Sequence, residues 1–303
     1  MLVNNMNRFL VLLIIMLLLL PLPVFSAEEI RYKYASSLYA DDKGVGLNQP
    51  EGVSCSKDRL VVADTGNGRL VIYPIQAGEP RTGREVVLPQ LLYPNRLATT
   101  SKGDLFVLDG KQRKVARLSA DGVYKQYVDF SGLPTEGMVV PAGISVDSAD
   151  ALYVLDILGR RVLVFGDDGK SLRQIVFPKE YGFISDLAVG PRGTVFLIDS
   201  VNALVYSTTK DPASFSPMTE KMKDDIKFAS NITASDKDML YITDQNGGSI
   251  VVVQQDGTFR KISAMGWKEG ALRYPAQLCI DSDGDLFIAD RANSRIQKFV
   301  PFK

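Results

Sequence analysis

An all-β fold, a six-bladed β-propeller of four-stranded antiparallel blades, is predicted by three observations. A short apolar phrase ending in aspartate returns at residues 60–64, 105–109, 152–156, 195–199, 240–244 and 286–290, and its aspartates stand 45, 47, 43, 45 and 46 residues apart. That spacing is the period of a four-stranded blade, longer than ankyrin or leucine-rich units. Each phrase is apolar at nearly every position rather than at alternate ones, so both faces of the strand are covered, as in sheets packed radially between neighbours. The repeats also consume the chain: 303 residues less the first 27 leave 276, or 46 for each of six repeats. Nothing remains for a second domain.

The first 27 residues read as a secretory signal. Arg8 precedes an unbroken apolar run, 9–20, followed by Pro21, Pro23 and the small residues Ser26 and Ala27 before Glu28. A positive start, an apolar middle and small residues at the cut are what signal peptidase requires, so cleavage is expected near Ser26 or Ala27. The alternative is an uncleaved anchor, since 9–25 is long enough to span a thin bilayer with Arg8 held inside. Either way the rest, residues 28–303, is expected outside the cytoplasm, secreted or in the periplasm or cell envelope, and as a monomer with no membrane span after cleavage. Lys plus Arg and Asp plus Glu number 35 each, and losing Arg8 leaves a net charge of −1. A nearly neutral surface exerts no general pull on nucleic acid, which is not an expected partner.

Each repeat divides into strands a to d. In the third, 141–146 is strand a, 147–150 a turn, 151–155 strand b, 161–165 strand c, Asp167-Asp168-Gly169 a hairpin turn and 171–177 strand d. The other inner strands are expected to begin at Pro50, Pro94, Ile184, Ala229 and Pro275, and the other third strands at Arg69, Lys114, Ala203, Ser249 and Arg295. Asp121-Gly122 and Asp283-Gly284 supply the positive φ that tight hairpins need. The sixth repeat stops after strand c, whereas residues 30–35 alternate like a strand ahead of the first repeat. This N-terminal strand is therefore expected to complete the last blade and close the ring. In the fourth repeat Pro212 and Pro217 limit ladder bonding, so its outer strand should be short and irregular. Residues 220–227 carry six charges in eight positions and read as a solvated loop or one helical turn.

Cys55 and Cys279 fall on the inner strands of the first and last repeats, on opposite strand faces. They either bridge the ring or remain two buried thiols. The second is favoured, because inner strands of neighbouring blades often stand farther apart than disulfide geometry allows.

The sixth repeat, with Pro275, Leu278, Ile280-Asp281, Gly284-Asp285, Asp290, Asn293, Arg295 and Phe299, closely resembles the NHL repeat. Ala63-Asp64-Thr65-Gly66-Asn67-Gly68-Arg69 carries the same core, and the resemblance extends over residues 50–299. It implies a six-bladed propeller that serves as a binding platform. One branch of the family, the peptidyl-hydroxyglycine amidating lyases, uses histidine ligands for zinc, but this chain contains no histidine. That absence also removes histidine bases, Ser-His-Asp triads and histidine metal sites.

Three groups of residues are candidates for function. The aspartate closing strand b and the cation opening strand c occur together as Asp64/Arg69, Asp109/Lys114, Asp156/Arg161 and Asp290/Arg295. Their expected role is structural, capping the loop between them. Asp199 and Asp244 lack the cation, and the third position of strand a, expected to line the channel mouth, is Gly52, Arg96, Gly143, Asp186, Asn231 and Gln277. Asp186, Asn231, Asp199 and Asp244 thus form a candidate oxygen-only set suited to a hard cation such as Ca²⁺. In residue type this resembles the mouth of gluconolactonase and regucalcin propellers, which hold one divalent ion. A plain polar plug of the channel is favoured over it, and no cofactor is expected. The turn 281–285 lacks the distal glutamate of a calcium loop.

Finally, Trp267, Met265, Tyr274, Tyr181, Phe183 and Tyr93, with Arg96, lie in or beside loops that enter strand a, and Leu92 and Met138 accompany them. Aromatic and methionine side chains gathered on one face are what a partner surface uses. The expected function is a non-catalytic exported platform for a protein or small molecule of the envelope. The alternative is a metal-dependent lactonase or esterase.

Overall fold

The computed structural model describes residues 30–133, 137–237, 239–254 and 257–302; the expected signal segment lies outside the described residues. Of these, 32–301 form one compact body. Six antiparallel sheets stand in a ring. Their second strands are Arg59–Asp64, Leu105–Asp109, Leu152–Asp156, Val195–Asp199, Leu240–Asp244 and Leu286–Asp290, and each ends on the repeated aspartate. All but Arg59 of these residues are buried. Six hydrophobic clusters follow, one between each pair of neighbouring blades, the pair formed by the first and last blades included. Continuous apolar strands are thus explained by position: each has a neighbouring blade on both sides.

Closure is as expected. The N-terminal strand Arg31–Leu38 is the outermost strand of the sheet that also holds Arg295–Phe302, Leu286–Asp290 and Pro275–Ile280. Tyr34 meets Phe299 edge-on at 6.2 Å between ring centres, and the Tyr32 hydroxyl bonds the Tyr241 hydroxyl at 2.8 Å, tying the borrowed strand to blade five as well. Several strand ends differ from expectation, the second strand of blade three being Leu152–Asp156 rather than 151–155, and two of the expected starts of inner and third strands move. The first inner strand begins at Gly52 rather than Pro50, and the third strand of blade four begins at Leu204 rather than Ala203, which takes a positive φ of 48°. Blade four's outer strand, Ser214–Pro217, is short, with a register shift between Ser207 and Asp211. Of the two readings of 220–227 the single turn holds: 223–225 turn, the Ile226 amide bonds the Met222 carbonyl at 2.8 Å, and Met222 and Ile226 drop into the core between blades four and five.

The cysteines are bonded to each other, with Cα atoms 5.8 Å apart, which corrects the expectation of free thiols. Their opposite strand faces are the reason. In a closed ring, one face of the first blade looks at the opposite face of the last, so the two side chains point toward one another.

Candidate functional site

The inner strand of five blades carries a β-bulge near its start. Pro94, Pro141, Ile184 and Ala229 pair with the aspartates of their blades, and the residue two further on pairs with the aspartate's predecessor. In the sixth blade the shift falls between Pro275 and Leu278. A bulge re-aims the side chain that follows it. Here it brings the third-position side chains together, because inner strands of neighbouring blades adjoin all round the ring.

Those side chains bond from blade to blade. Asp186 Oδ2 accepts from the Ile232 amide at 3.2 Å and from the Asn231 side-chain amide. Asn231 Oδ1 accepts from the Leu278 amide at 3.2 Å. Gln277 Oε1 accepts from the amides of Val53 and Leu97 at 3.2 and 3.0 Å, and its Nε2 donates to the Leu97 carbonyl at 2.8 Å. Gln277 reaches past blade one because Gly52 offers no side chain. Around blade three the chain of bonds is broken. Gly143 has no side chain, Arg96 Nη1 donates to the Asn95 carbonyl at 2.9 Å, and among the described residues Asp186 Oδ1, Arg96 Nε and Asn95 Oδ1 are buried without hydrogen-bond partners. Burial pushes the Asp186 carboxyl up to about 6, against a smaller lowering by the Arg96 guanidinium. Beneath this ring the channel holds a cavity of about 170 Å³, walled by Val53, Leu97, Ile144, Leu187, Ile232 and Leu278 with the hydroxyls of Ser54, Thr99, Ser145 and Thr233.

The loop aspartates do something else. Asp199 accepts from the amides of Gly182, Phe183, Val201 and Asn202 and from the Asn202 side chain. Burial works to raise its pKa, but these donors hold it below the usual carboxylate range. Asp244 accepts from the amides of Lys227, Phe228 and Gly247. Asp156 and Asp290 add Arg161 and Arg295 at 3.0 and 2.8 Å, and Asp64 adds Arg69 at 2.7 Å. The expected Asp109/Lys114 pair is not among the ion pairs of the described residues. Lys114 Nζ stands over the Tyr127 ring, 4.6 Å from its centre, while Asp109 takes the amides of Leu92, Tyr93, Lys111 and Gln112.

Of the candidate cation ligands, the structure therefore brings Asp186 and Asn231 together, and commits Asp199 and Asp244 to loop amides. The donor set does not fit a divalent ion. Both Asn231 side-chain atoms and Asp186 Oδ2 are already bonded, which leaves one carboxylate oxygen beside an arginine. A hard cation needs six or more oxygens. Among the described residues no three acidic, histidine or thiol side chains are arranged to hold a metal ion.

On the same face the loop candidates separate. Trp267, Met265, Phe183 and Tyr274 are 75%, 52%, 46% and 43% exposed, and Met138 and Leu92 join them. Tyr181 is half-buried against Phe177, with ring centres 5.6 Å apart, and belongs to the core between blades three and four. The half-buried Tyr93 bonds Glu51 Oε1 at 2.9 Å. The residue before the inner strand is Tyr93, Val140, Phe183, Phe228 and Tyr274 in blades two to six, so four of six mouth positions are aromatic. Phe228 was missed by sequence reasoning, although its place in the repeat marks it. Leu158 and Val201, exposed in the loops after strand b, were missed too.

The NHL repeat family model matches residues 47–73 and 272–299. A 139-residue stretch is 29% identical to the brain tumor protein of Drosophila melanogaster, covering 42% of this chain and 12% of that relative's length. Among solved structures, a virginiamycin B lyase from Staphylococcus aureus superposes with TM-score 0.62 at 16% identity, covering 90% of this chain and 99% of its own. A gluconolactonase from Xanthomonas campestris does so with TM-score 0.65 at 13% identity, covering 91% and 90%. At those identities the likeness is one of fold.

Proposed function

We propose that this chain, an NHL-repeat β-propeller, works as a non-catalytic binding platform outside the cytoplasm, holding a protein or small-molecule partner on the face where the channel mouth opens. The exposed apolar crown on that face carries the reading: Trp267, Met265, Phe183, Tyr274, Met138 and Leu92 stay in solvent while the blades bury every comparable side chain of their second strands. Aromatic and methionine side chains are enriched at partner interfaces relative to the rest of a protein surface. Catalysis finds little support. The buried carboxylates of the loops are committed to backbone amides, and this chain has no histidine, whereas the lyase of the same fold is described as catalytically inactive when one of its histidines is replaced by alanine.

Export rests on the apolar N-terminal segment, and the bonded cysteine pair agrees with an oxidising compartment. The platform reading is tested by capturing partners with wild type and with Trp267→Ala and Phe183→Ala together. Loss of the captured species on substitution is expected, and undiminished capture would remove the crown from the site. Calorimetry with Ca²⁺ and Mn²⁺ addresses the lactonase reading. No heat is expected at millimolar ion, and saturable binding with lactone turnover would replace the platform by an enzyme.

A further inference from the structure

Among the described residues, three of the five buried side-chain atoms without hydrogen-bond partners, Asn95 Oδ1, Arg96 Nε and Asp186 Oδ1, belong to the inner strands of blades two and four, on either side of the strand that carries Gly143. A Cβ at residue 143 would collide with Asp186 Oδ1, so the missing side chain is what gives that oxygen its space. Asp186 is 2% exposed. A buried carboxylate oxygen with nothing donating to it costs stability, and such costs are tolerated where a ligand supplies the partner. The needs are mixed: two acceptors want donors, and one guanidinium N–H wants an acceptor.

The rim has its own bias. The two residues before each inner strand and the two after each loop aspartate include Lys111, Lys227, Arg273 and Arg291 against one acid, Glu51, in a chain whose formal net charge is zero. The nearest carboxylate of the rim, Glu51, is tied up by Tyr93 at 2.9 Å and Arg291 at 3.2 Å. Interleaved with these cations are Tyr93, Phe183, Phe228 and Tyr274.

We propose that the mouth is a site for an acidic saccharide, a ring with hydroxyls and a carboxylate such as a hexuronate unit. Its hydroxyls donate to Asp186 and Asn95, its carboxylate meets Arg96 and the rim cations, and its C–H faces lie on the aromatic collar. A hydroxyl both donates and accepts, which is the mixed demand the three atoms make. An acidic peptide satisfies the cations but brings fewer donors to the floor. All three floor atoms are shut from solvent, so entry requires the Arg96 side chain, half-buried and held by one bond to the Asn95 carbonyl, to turn outward onto the ligand's carboxylate.

This rests on the mouth being the binding face proposed above, and its test is kept separate from capture of a protein partner. The purified protein is titrated in a calorimeter with tetragalacturonate, maltotetraose and tetraglutamate, alongside the folded variants Arg96→Met and Phe183→Ala. Tetragalacturonate is expected to bind at least tenfold more tightly than either of the others, and to weaken at least tenfold in Arg96→Met and about fivefold in Phe183→Ala. Equal binding of maltotetraose removes the carboxylate from the idea, and equal binding of tetraglutamate transfers the site to peptides. No saturable binding of tetragalacturonate, or binding indifferent to Arg96→Met, overturns it. Partner capture that still depends on Trp267 and Phe183 would then leave the platform reading standing without the saccharide.

Discussion

Two positions of the repeat, the aspartate that ends the second strand and the channel position of the inner strand, behave oppositely. The loop aspartate is the same in all six blades, and wherever it is placed its oxygens are filled by amides, with an arginine added in blades one, three and six. The channel position differs in every blade except for its two glycines, and its bonding is complete on one arc and broken on the other. Repetition here marks what every blade needs in order to fold. Departure from the repeat marks what the ring as a whole presents at its axis.

The largest effect should come from denying one blade its share of the common plan. Deleting residues 28–38 strips the outermost strand from the last blade and bares the edge of Arg295–Phe302, so aggregation or a melting temperature lower by ten degrees or more is expected in a thermal scan. An unchanged melt would mean that closure does not depend on the borrowed strand. Next is Asp156→Ala, which leaves the buried Arg161 guanidinium with only the Gln174 side chain and frees the Val140 amide. A loss of about 3–5 kcal/mol is expected in denaturant titration, because breaking a buried pair strands a charge. Asp244→Ala, which frees amides but strands no charge, should cost only about 1–3 kcal/mol. Equal losses would erase the distinction between paired and unpaired loops.

A smaller effect belongs to the seam. Replacing Cys55 and Cys279 together by serine should cost about 2–4 kcal/mol, the usual worth of a native disulfide, and reduction of the wild type should match it. If neither changes the unfolding midpoint, the bond adds nothing to a ring already closed by its strand. This is also where reading from sequence reached its limit. The period of the aspartates, the borrowed strand and the weak outer strand of blade four were all legible, since strand alternation and proline placement are local properties. The pairing of Cys55 with Cys279 was not, because whether opposite faces meet depends on the ring rather than on either strand. Asp199 and Asp244 were read as free ligands for the same reason. A missing cation at the start of strand c says nothing about the amides of Gly182 or Lys227, which arrive from the preceding loop. Asp186 and Asn231 were correctly placed on the channel by counting, yet the bulge that aims them leaves no mark in the apolar pattern.

The subtlest test concerns Asp186, where the channel position shows a cost that the loop position avoids. Its folded pKa, about 6, lies above the ordinary aspartate value of 3.8, and burial is the chief cause. The fold therefore prefers the protonated form. This group's favourable contribution is complete below about pH 4 and disappears as pH rises through 6, a swing of roughly 2–3 kcal/mol at 1.36 kcal/mol per unit. Asp186→Asn removes the ionisation while keeping an oxygen for the Ile232 amide and the Asn231 side chain. Its stability relative to wild type should be greater at pH 7.5 than at pH 4 by about that amount, measured as denaturant midpoints at both pH values. The same substitution at Asp199, whose carboxylate is held below the usual range against burial by five donors, should reverse the sign. Asp199 contributes most when ionised, and that contribution is lost only as pH falls below the usual carboxylate range, so Asp199→Asn should lose more at pH 7.5 than at about pH 2. If both substitutions shift stability in the same direction with pH, the axis holds no unmet carboxylate, and the opening beside Gly143 is only a gap in the packing.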